Sequence, residues 1–198
     1  IILLDDGKIQ MRVLATNRRV DLIGEGVDIA IRVRNKLDTD TSLVLRSFGQ
    51  SRVLLVASPA FLDTHGRPRN GDELRSLPLL SMLEHEGARV RDPDDADGRH
   101  IEIEMQARVI CGDFMLLLEA ARRDQGVAML PEFVCAPAIV RGELEVVLPG
   151  WNTPQGTMHL VYPSRRGQLP GVRALVEFLA ERLPGAVQQK HEQCGKAA

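Results

Sequence analysis

V-D-L-I-G-E-G-V-D-I-A-I-R, Val20 to Arg32, is the stretch that decides the fold. Asn17 stands where it can cap a short helix carrying Val20, Leu22 and Ile23. Gly24 and Gly26 then stop that helix, because glycine reaches the left-handed conformation a helix end needs. An apolar run, Val27 to Val33, follows at once and reads as a buried strand. Arg32 falls near the end of that strand, and open α/β sheets hold their ligands at strand ends. A helix that breaks tightly into a strand ending in a charge points to a small-molecule cleft rather than to a catalytic centre.

Strands and helices alternate on either side of this stretch. Ile9 to Ala15 reads as a strand before it, and Ser42 to Phe48 and Val53 to Ala57 read as strands after it. Ser58-Pro59 is a helix start, with serine as cap and proline at the first helical position; that helix ends at Gly66. Asn70 to Glu73 is a capping-box-like start for the next helix. Pro78 to Leu83 is a short apolar strand. Arg89 to Arg91 and His100 to Glu104 read as a hairpin around an acidic turn. Ala107 to Cys111 is a strand, Asp113 starts a helix to about Arg123, and Gly126 to Leu130 is a further buried strand. Thr157 to Tyr162 is the last strand and Pro170 opens the last helix. There Val172, Leu175, Val176, Leu179 and Leu183 form one apolar stripe. The tail after Pro184 is polar and reads as frayed.

With 198 residues there is room for one large domain or two small lobes, each with a core. A 44% hydrophobic content and a mean hydropathy of −0.10 describe a soluble globular chain. A net charge of −2 leaves no global basic field to attract nucleic acid. Apolar runs fall far short of the roughly 20 residues of a membrane span. The start carries no charged-apolar-small leader, so export is not expected. Cys111, Cys135 and Cys194 form no CxxC pair, and reduced thiols in a cytoplasm are the simplest reading.

The order of elements fits two α/β lobes: residues 1–57 as the first part of lobe I, 58–157 as lobe II, 158–184 returning to lobe I, and 185–198 as a polar tail. Two crossings make a hinge, and a cleft between lobes is a natural ligand site.

Four motifs carry a family resemblance. A-T-N-R-R-V-D-L-I-G-E-G-V-D-I-A-I-R-V-R (Ala15 to Arg34) resembles the effector-binding domain of LysR-type transcriptional regulators. So do V-L-L-V-A-S-P-A-F-L (Val53 to Leu62) followed by H-G-R-P-R, G-D-F-M-L-L-L-E-A-A-R-R-D-Q-G-V-A-M-L-P (Gly112 to Pro131), and H-L-V-Y-P-S-R (His159 to Arg165). Each alone is moderately specific; together, in order, they cover about Ile9 to Leu183. The resemblance implies an α/β fold of two Rossmann-like lobes joined by two crossover strands, of the periplasmic-binding-protein-like type 2. It implies a cytoplasmic sensor of a small organic effector, an organic acid or aromatic, that works as a homodimer or homotetramer. DNA would be met only through an N-terminal winged helix-turn-helix, which this sequence does not contain. The family's effector domain also opens with a strand and a long helix before the segment matching Ile9, where only I-I-L-L-D-D-G-K stands here.

The effector contacts this implies are Arg32, Ser81, Met82, Gly112, Asp113, Leu130 and Phe133. Each has a plainer reading beside it. Asp113 lines an anion-attracting helix start or caps its own helix, and the two are compatible because capping leaves other N–H groups free. Arg32 either pairs with an effector carboxylate or makes a surface or interlobe ion pair. Ser81 and Met82 end a strand that either lines the cleft or simply packs. Leu130, Pro131, Glu132 and Phe133 follow another strand in the same way, and Phe133 is either ligand wall or core. The helix from Asp113 is more apolar than one stripe requires, and the family pairs it with another subunit; this makes Phe114, Met115, Leu118 and Arg122 interface candidates, with burial inside the lobe as the alternative.

Catalysis finds little support. Gly24-Glu25-Gly26 lacks the third glycine of a dinucleotide loop, and neither HExxH nor GxSxG occurs. The five histidines show no ligand spacing. The acidic turn Asp92 to Gly98 places Pro93 first in a would-be calcium loop, and proline offers no side-chain ligand. Neither metal nor cofactor is expected. Two rivals remain: a free-standing solute-binding protein of a transport system, and an enzyme using Cys111 at a helix start or a cleft carboxylate.

Overall fold

A computed structural model describes residues 11–16, 18, 20–34, 41–82, 87–91, 100–151, 153, 155–164 and 169–195. The expected acidic calcium-like turn and the Asn17 cap fall outside them. The chain divides into two compact units, residues 1–50 with 157–186, and residues 51–156 with 187–198.

In the first unit, β1 (Ala30–Arg34), β2 (Leu43–Ser51) and β10 (Gly156–Pro163) form a three-stranded sheet in the order β1-β10-β2. β1 runs antiparallel to β10, with Arg32 opposite His159. Leu160, Val161 and Met158 are buried along β10, and Phe48 along β2. The last helix, α5 (Pro170–Gly195), buries Val176 and half-buries Val172, Leu175, Leu179 and Leu183, while Arg173, Glu177, Glu181 and Arg182 face solvent. This is the apolar stripe its sequence spacing predicts.

The second unit holds a five-stranded sheet ordered β7-β4-β8-β3-β9 and a two-stranded hairpin, β5-β6. The strands are β3 (Val53–Ala57), β4 (Leu79–Ser81), β7 (Ala107–Ile110), β8 (Val127–Pro131) and β9 (Glu145–Val146), with β5 (Gly87–Arg91) and β6 (His100–Glu104) paired antiparallel. β4 is parallel to both β7 and β8, whereas β3 is antiparallel to β8 and β9. Successive side chains on a strand point to opposite faces, and here both faces are buried. Leu55, Ala57, Leu79 and Val127 pack with Phe61 and Leu62 of α1 (Pro59–His65) and Leu74 of α2 (Gly71–Arg75). Their neighbours Val56, Leu80, Ala128 and Leu130 pack on the other side with Leu117 and Ala121 of α3 (Phe114–Arg122) and Cys135, Ala136 and Ile139 of α4 (Glu132–Val140). Two-sided burial is why V-L-L-V-A reads as a continuous apolar run.

Local chemistry sets the helix ends. Ser58 Oγ accepts from the Phe61 amide at 3.1 Å, and Gly66 closes α1 at φ 91°. Asn70 Oδ1 accepts from the Glu73 amide at 2.9 Å, and the Glu73 carboxylate reaches back to the Arg69 amide at 2.9 Å. Gly126, at φ 150°, is required by crowding as well as by backbone conformation. A Cβ there would stand 2.5 Å from the Pro78 carbonyl oxygen.

Several expectations are corrected. No helix forms at Val20–Ile23. Asp21 instead organises a turn, its Oδ1 accepting from the Ile23 and Gly24 amides at 3.1 Å, and the chain leaves through Gly26 at φ 66°. Two apolar residues, Leu22 and Ile23, between a capping acid and the first of two glycines hold one turn, too few for a stable helix. Residues 11–15 form no strand, and Met11, Val13 and Leu14 are exposed. β3 was expected in lobe I, but it pairs with β8 and β9, so the chain enters the second unit at Ser51, before β3 rather than after it. Helix α5 continues through Pro184 to Gly195 where a frayed tail was expected.

Candidate functional site

Parallel β4, β7 and β8 bring their carboxyl ends to one edge of the second unit's sheet. Open α/β sheets bind ligands at such an edge, where loops and helix starts leave backbone groups pointing outward. Six of the seven expected contact residues gather there. Ser81 ends β4 and Met82 follows it. Gly112 and Asp113 link β7 to α3. Leu130 stands near the end of β8, and Phe133 lies in the first turn of α4. The Cys111 amide donates to the Ser81 carbonyl at 3.0 Å, tying two of these loops together. Arg32 belongs to the other unit, where its Nη2 donates to the Val20 carbonyl at 2.6 Å and so braces the Asp21 turn.

The six differ in what they can offer. Asp113 is the N-cap of α3: its Oδ1 accepts from the Met115 amide at 2.7 Å and the Leu116 amide at 3.4 Å. The capping reading of Asp113 therefore holds, and its carboxylate places a negative charge at the mouth of the helix. Ser81 is buried, with its Oγ donating to the Met82 carbonyl at 3.0 Å. Leu130 is fully buried in the core opposite Leu54 and offers no exposed surface to this edge. Met82, Gly112 and Phe133 are half-buried and form the accessible part of the rim.

Sequence reasoning placed Glu132 at this edge but missed Arg52 and the pairing between them. Because β3 is antiparallel to β8, Arg52, just before β3, stands beside Glu132, just after β8. Arg52 Nε and Nη2 donate to the two carboxylate oxygens of Glu132 at 2.7 and 2.6 Å, a two-pronged pair. The Glu132 side chain is only 6% exposed. The Glu132 amide also donates to the Arg52 carbonyl at 3.0 Å. Beside them, Thr153 Oγ1 donates to the Val53 carbonyl at 2.5 Å and lies 3.1 Å from the Val53 amide, which donates back to it. The available signal was a basic residue opening one apolar strand and an acidic residue closing another.

Helix α3 separates the expected interface residues. Met115 is 63% exposed, and Leu116 beside it is exposed as well. Phe114 and Leu118 pack partly against the core. Arg122 is ion-paired with Glu119 and Glu143, both at 2.9 Å. At the opposite edge of the sheet is a shallow depression of about 520 Å³ lined by Ser58, Glu119, Arg122, Arg123, Asp124 and Glu143. Ser58 Oγ donates there to Asp124. The Arg123 guanidinium holds the Glu119 carboxyl below the usual carboxylate range, and Arg141 does the same for Glu143. Among the described residues no group of three His, Cys, Asp or Glu side chains could hold a metal ion. No helix among them is long and apolar enough to cross a membrane.

Residues 6–184 match the family model described as the LysR substrate binding domain. The chain belongs to this family. Its fold is the periplasmic-binding-protein-like type 2 fold of LysR regulatory domains. A relative from Haemophilus influenzae, an uncharacterized HTH-type transcriptional regulator, is 30% identical over 156 residues, 76% of this chain and 51% of that protein. The HTH-type transcriptional regulator PtxR of Pseudomonas aeruginosa is 29% identical, over 89% of this chain and 55% of its own. This LysR domain thus spans about half the length of the curated relatives it matches. Among solved structures, the regulatory domain of CrgA, a LysR-type transcriptional regulator from Neisseria meningitidis, superposes with a TM-score of 0.68 at 26% identity, covering 82% of this chain and 78% of that one. Full-length AphB, the Vibrio cholerae virulence activator, gives 0.77 at 21% identity over 91% of this chain and 60% of its own.

Proposed function

We propose that this LysR domain senses a small organic effector, an organic acid or aromatic, and passes its occupancy to a DNA-binding head that lies outside this sequence. The observation that carries the reading is the gathering of Ser81, Met82, Gly112, Asp113 and Phe133 at the carboxyl edge of parallel β4, β7 and β8 in a chain of this family. Such an edge offers backbone donors and a half-buried apolar wall, which suits a compact polar molecule with an apolar body. Relatives named as HTH-type regulators support a role in transcription rather than catalysis, and with it a place in the cytoplasm. Exposed Met115 and Leu116 on α3, with Phe114, Leu118 and Arg122 beside them, support pairing with a second copy. Differential affinity for two arrangements of such an assembly is what would turn binding into regulation.

A thermal-shift screen against small organic acids, aromatics and amino acids tests this. A ligand selective for the folded state raises the melting temperature in a saturable way. The expected result is a saturable rise that disappears in Met82→Lys and Gly112→Val variants that still melt cooperatively. Retention of the rise in both variants would overturn the site. A folded protein that no member of the panel stabilises would count against the sensing reading.

A further inference from the structure

The Arg52–Glu132 pair occupies an unusual position. Ser51 is where the chain enters the second unit, and Gly156, the first residue of β10, is where it leaves. Arg52 and Val53 therefore belong to the entering segment and Thr153 to the leaving one. Val53 is bonded to Thr153 through both its amide and its carbonyl. Arg52 is bonded to Glu132 through both its guanidinium and its carbonyl. Glu132 is the first residue of α4, and Phe133, on the ligand rim, is the next. Pro131, at the cap position of α4, gives that helix no side-chain cap bond, so the first turn is anchored by Arg52.

We propose that Arg52, Glu132 and Thr153 form a clamp that makes the ligand rim and the two crossing segments one cooperative element. A ligand that shifts the first turn of α4 then shifts Arg52, and with it the paired strand entry and exit. The three are positioning residues rather than ligand contacts. The chemistry favours an all-or-none response. A buried carboxylate that loses its guanidinium is strongly destabilised, so the pair moves together or comes apart. The Glu132 amide bond to the Arg52 carbonyl and the two bonds of the Thr153 hydroxyl to the Val53 backbone tie the neighbouring residues 52 and 53 to both arms. The clamp's role in signalling rests on the sensing function proposed above, whereas its cooperativity is a property of the unliganded chain.

Amide hydrogen exchange on the whole chain, without ligand, tests the clamp across its two arms. Glu132→Gln keeps the side-chain size and removes the charge. The Val53 amide, whose own acceptor is the Thr153 hydroxyl, is expected to exchange at least tenfold faster. Thr153→Val keeps the shape and removes the hydroxyl; here the Glu132 amide, which Thr153 does not touch, is expected to accelerate at least tenfold. In both variants the Val147 amide, bonded to the Leu55 carbonyl at 2.8 Å in the same sheet, stays within twofold of its rate in the unsubstituted chain. Changes confined to the substituted arm would overturn the proposal, as would equal acceleration of all three amides. Thr153→Val decides the matter alone if Glu132→Gln does not fold. Because no ligand enters, failure of the effector screen and failure of the clamp are separately visible.

Discussion

The two units share one chain but are stabilised differently. In the second, a five-stranded sheet is covered on both faces, and adjacent residues such as Leu79 and Leu80 feed two separate cores. In the first, a three-stranded sheet buries Leu160 and Val161 on its central strand, yet Ile31 and Val33 on β1 remain exposed. The first unit relies more on polar local structure. Arg18 grips Glu25 with two bonds, the Glu25 carboxylate also accepts from the Asp21 amide at 3.1 Å, and Arg32 braces the same turn. The unit with the better packed sheet carries the candidate rim, which suits a site that needs its loops held in place.

The largest effect should come from the two-sided sheet. Leu80→Ala opens a cavity at a fully buried position and should cost about 3–4 kcal/mol in chemical denaturation, whereas Ile31→Ala should stay within about 0.5 kcal/mol. Similar losses for the two would break the contrast. Next comes Glu132→Ala, which removes the two-pronged carboxylate that Arg52 grips. With Arg52 a third exposed, the expected loss is about 3 kcal/mol, the low end for a broken buried pair. Asn70→Ala removes only the cap of a five-residue helix and should cost about 1 kcal/mol.

The smallest effect sharpens the picture of the first unit. The hydrogen bonds from Arg18, then from the Asp21 amide, lower the Glu25 pKa to about 2. A carboxylate depressed in the folded state stabilises it above the carboxyl's ordinary pKa and loses that contribution as pH falls towards about 2. Stability should therefore fall across that acid window, and Arg18→Gln should shrink the Glu25 part of the fall. An NMR titration that finds the Glu25 carboxyl at its ordinary value would show that the turn is not held this way.

Much of this fold was legible because its signals are local. Ser58-Pro59, Asn70 with Glu73, and Asp113 each cap the helix their types suggest, and Val53 to Ala57 is the strand its composition describes. Helix α4 was missed because F-V-C-A-P-A-I-V is apolar nearly all round, so it shows no 3.6-residue period, and Pro137 reads as a break. Strand β9 is two residues long and gives no pattern to read. At the candidate site the strand ends were readable, but the Arg52–Glu132 pair was not. Its members lie far apart in sequence, and only the antiparallel register of β3 on β8 makes them neighbours. Leu130 misled for the converse reason: it stands at the correct edge, but strand alternation turns its side chain into the core.

The most direct test of the account is amide chemical-shift mapping of the chain with the acid or aromatic that most raises its melting temperature. Saturable shifts are expected at Met82, Gly112, Asp113 and Phe133, with a secondary response at Val53 and Glu132 through the clamp. Shifts gathered instead around Ser58, Arg123 and Glu143, at the opposite edge of the sheet, would contradict it.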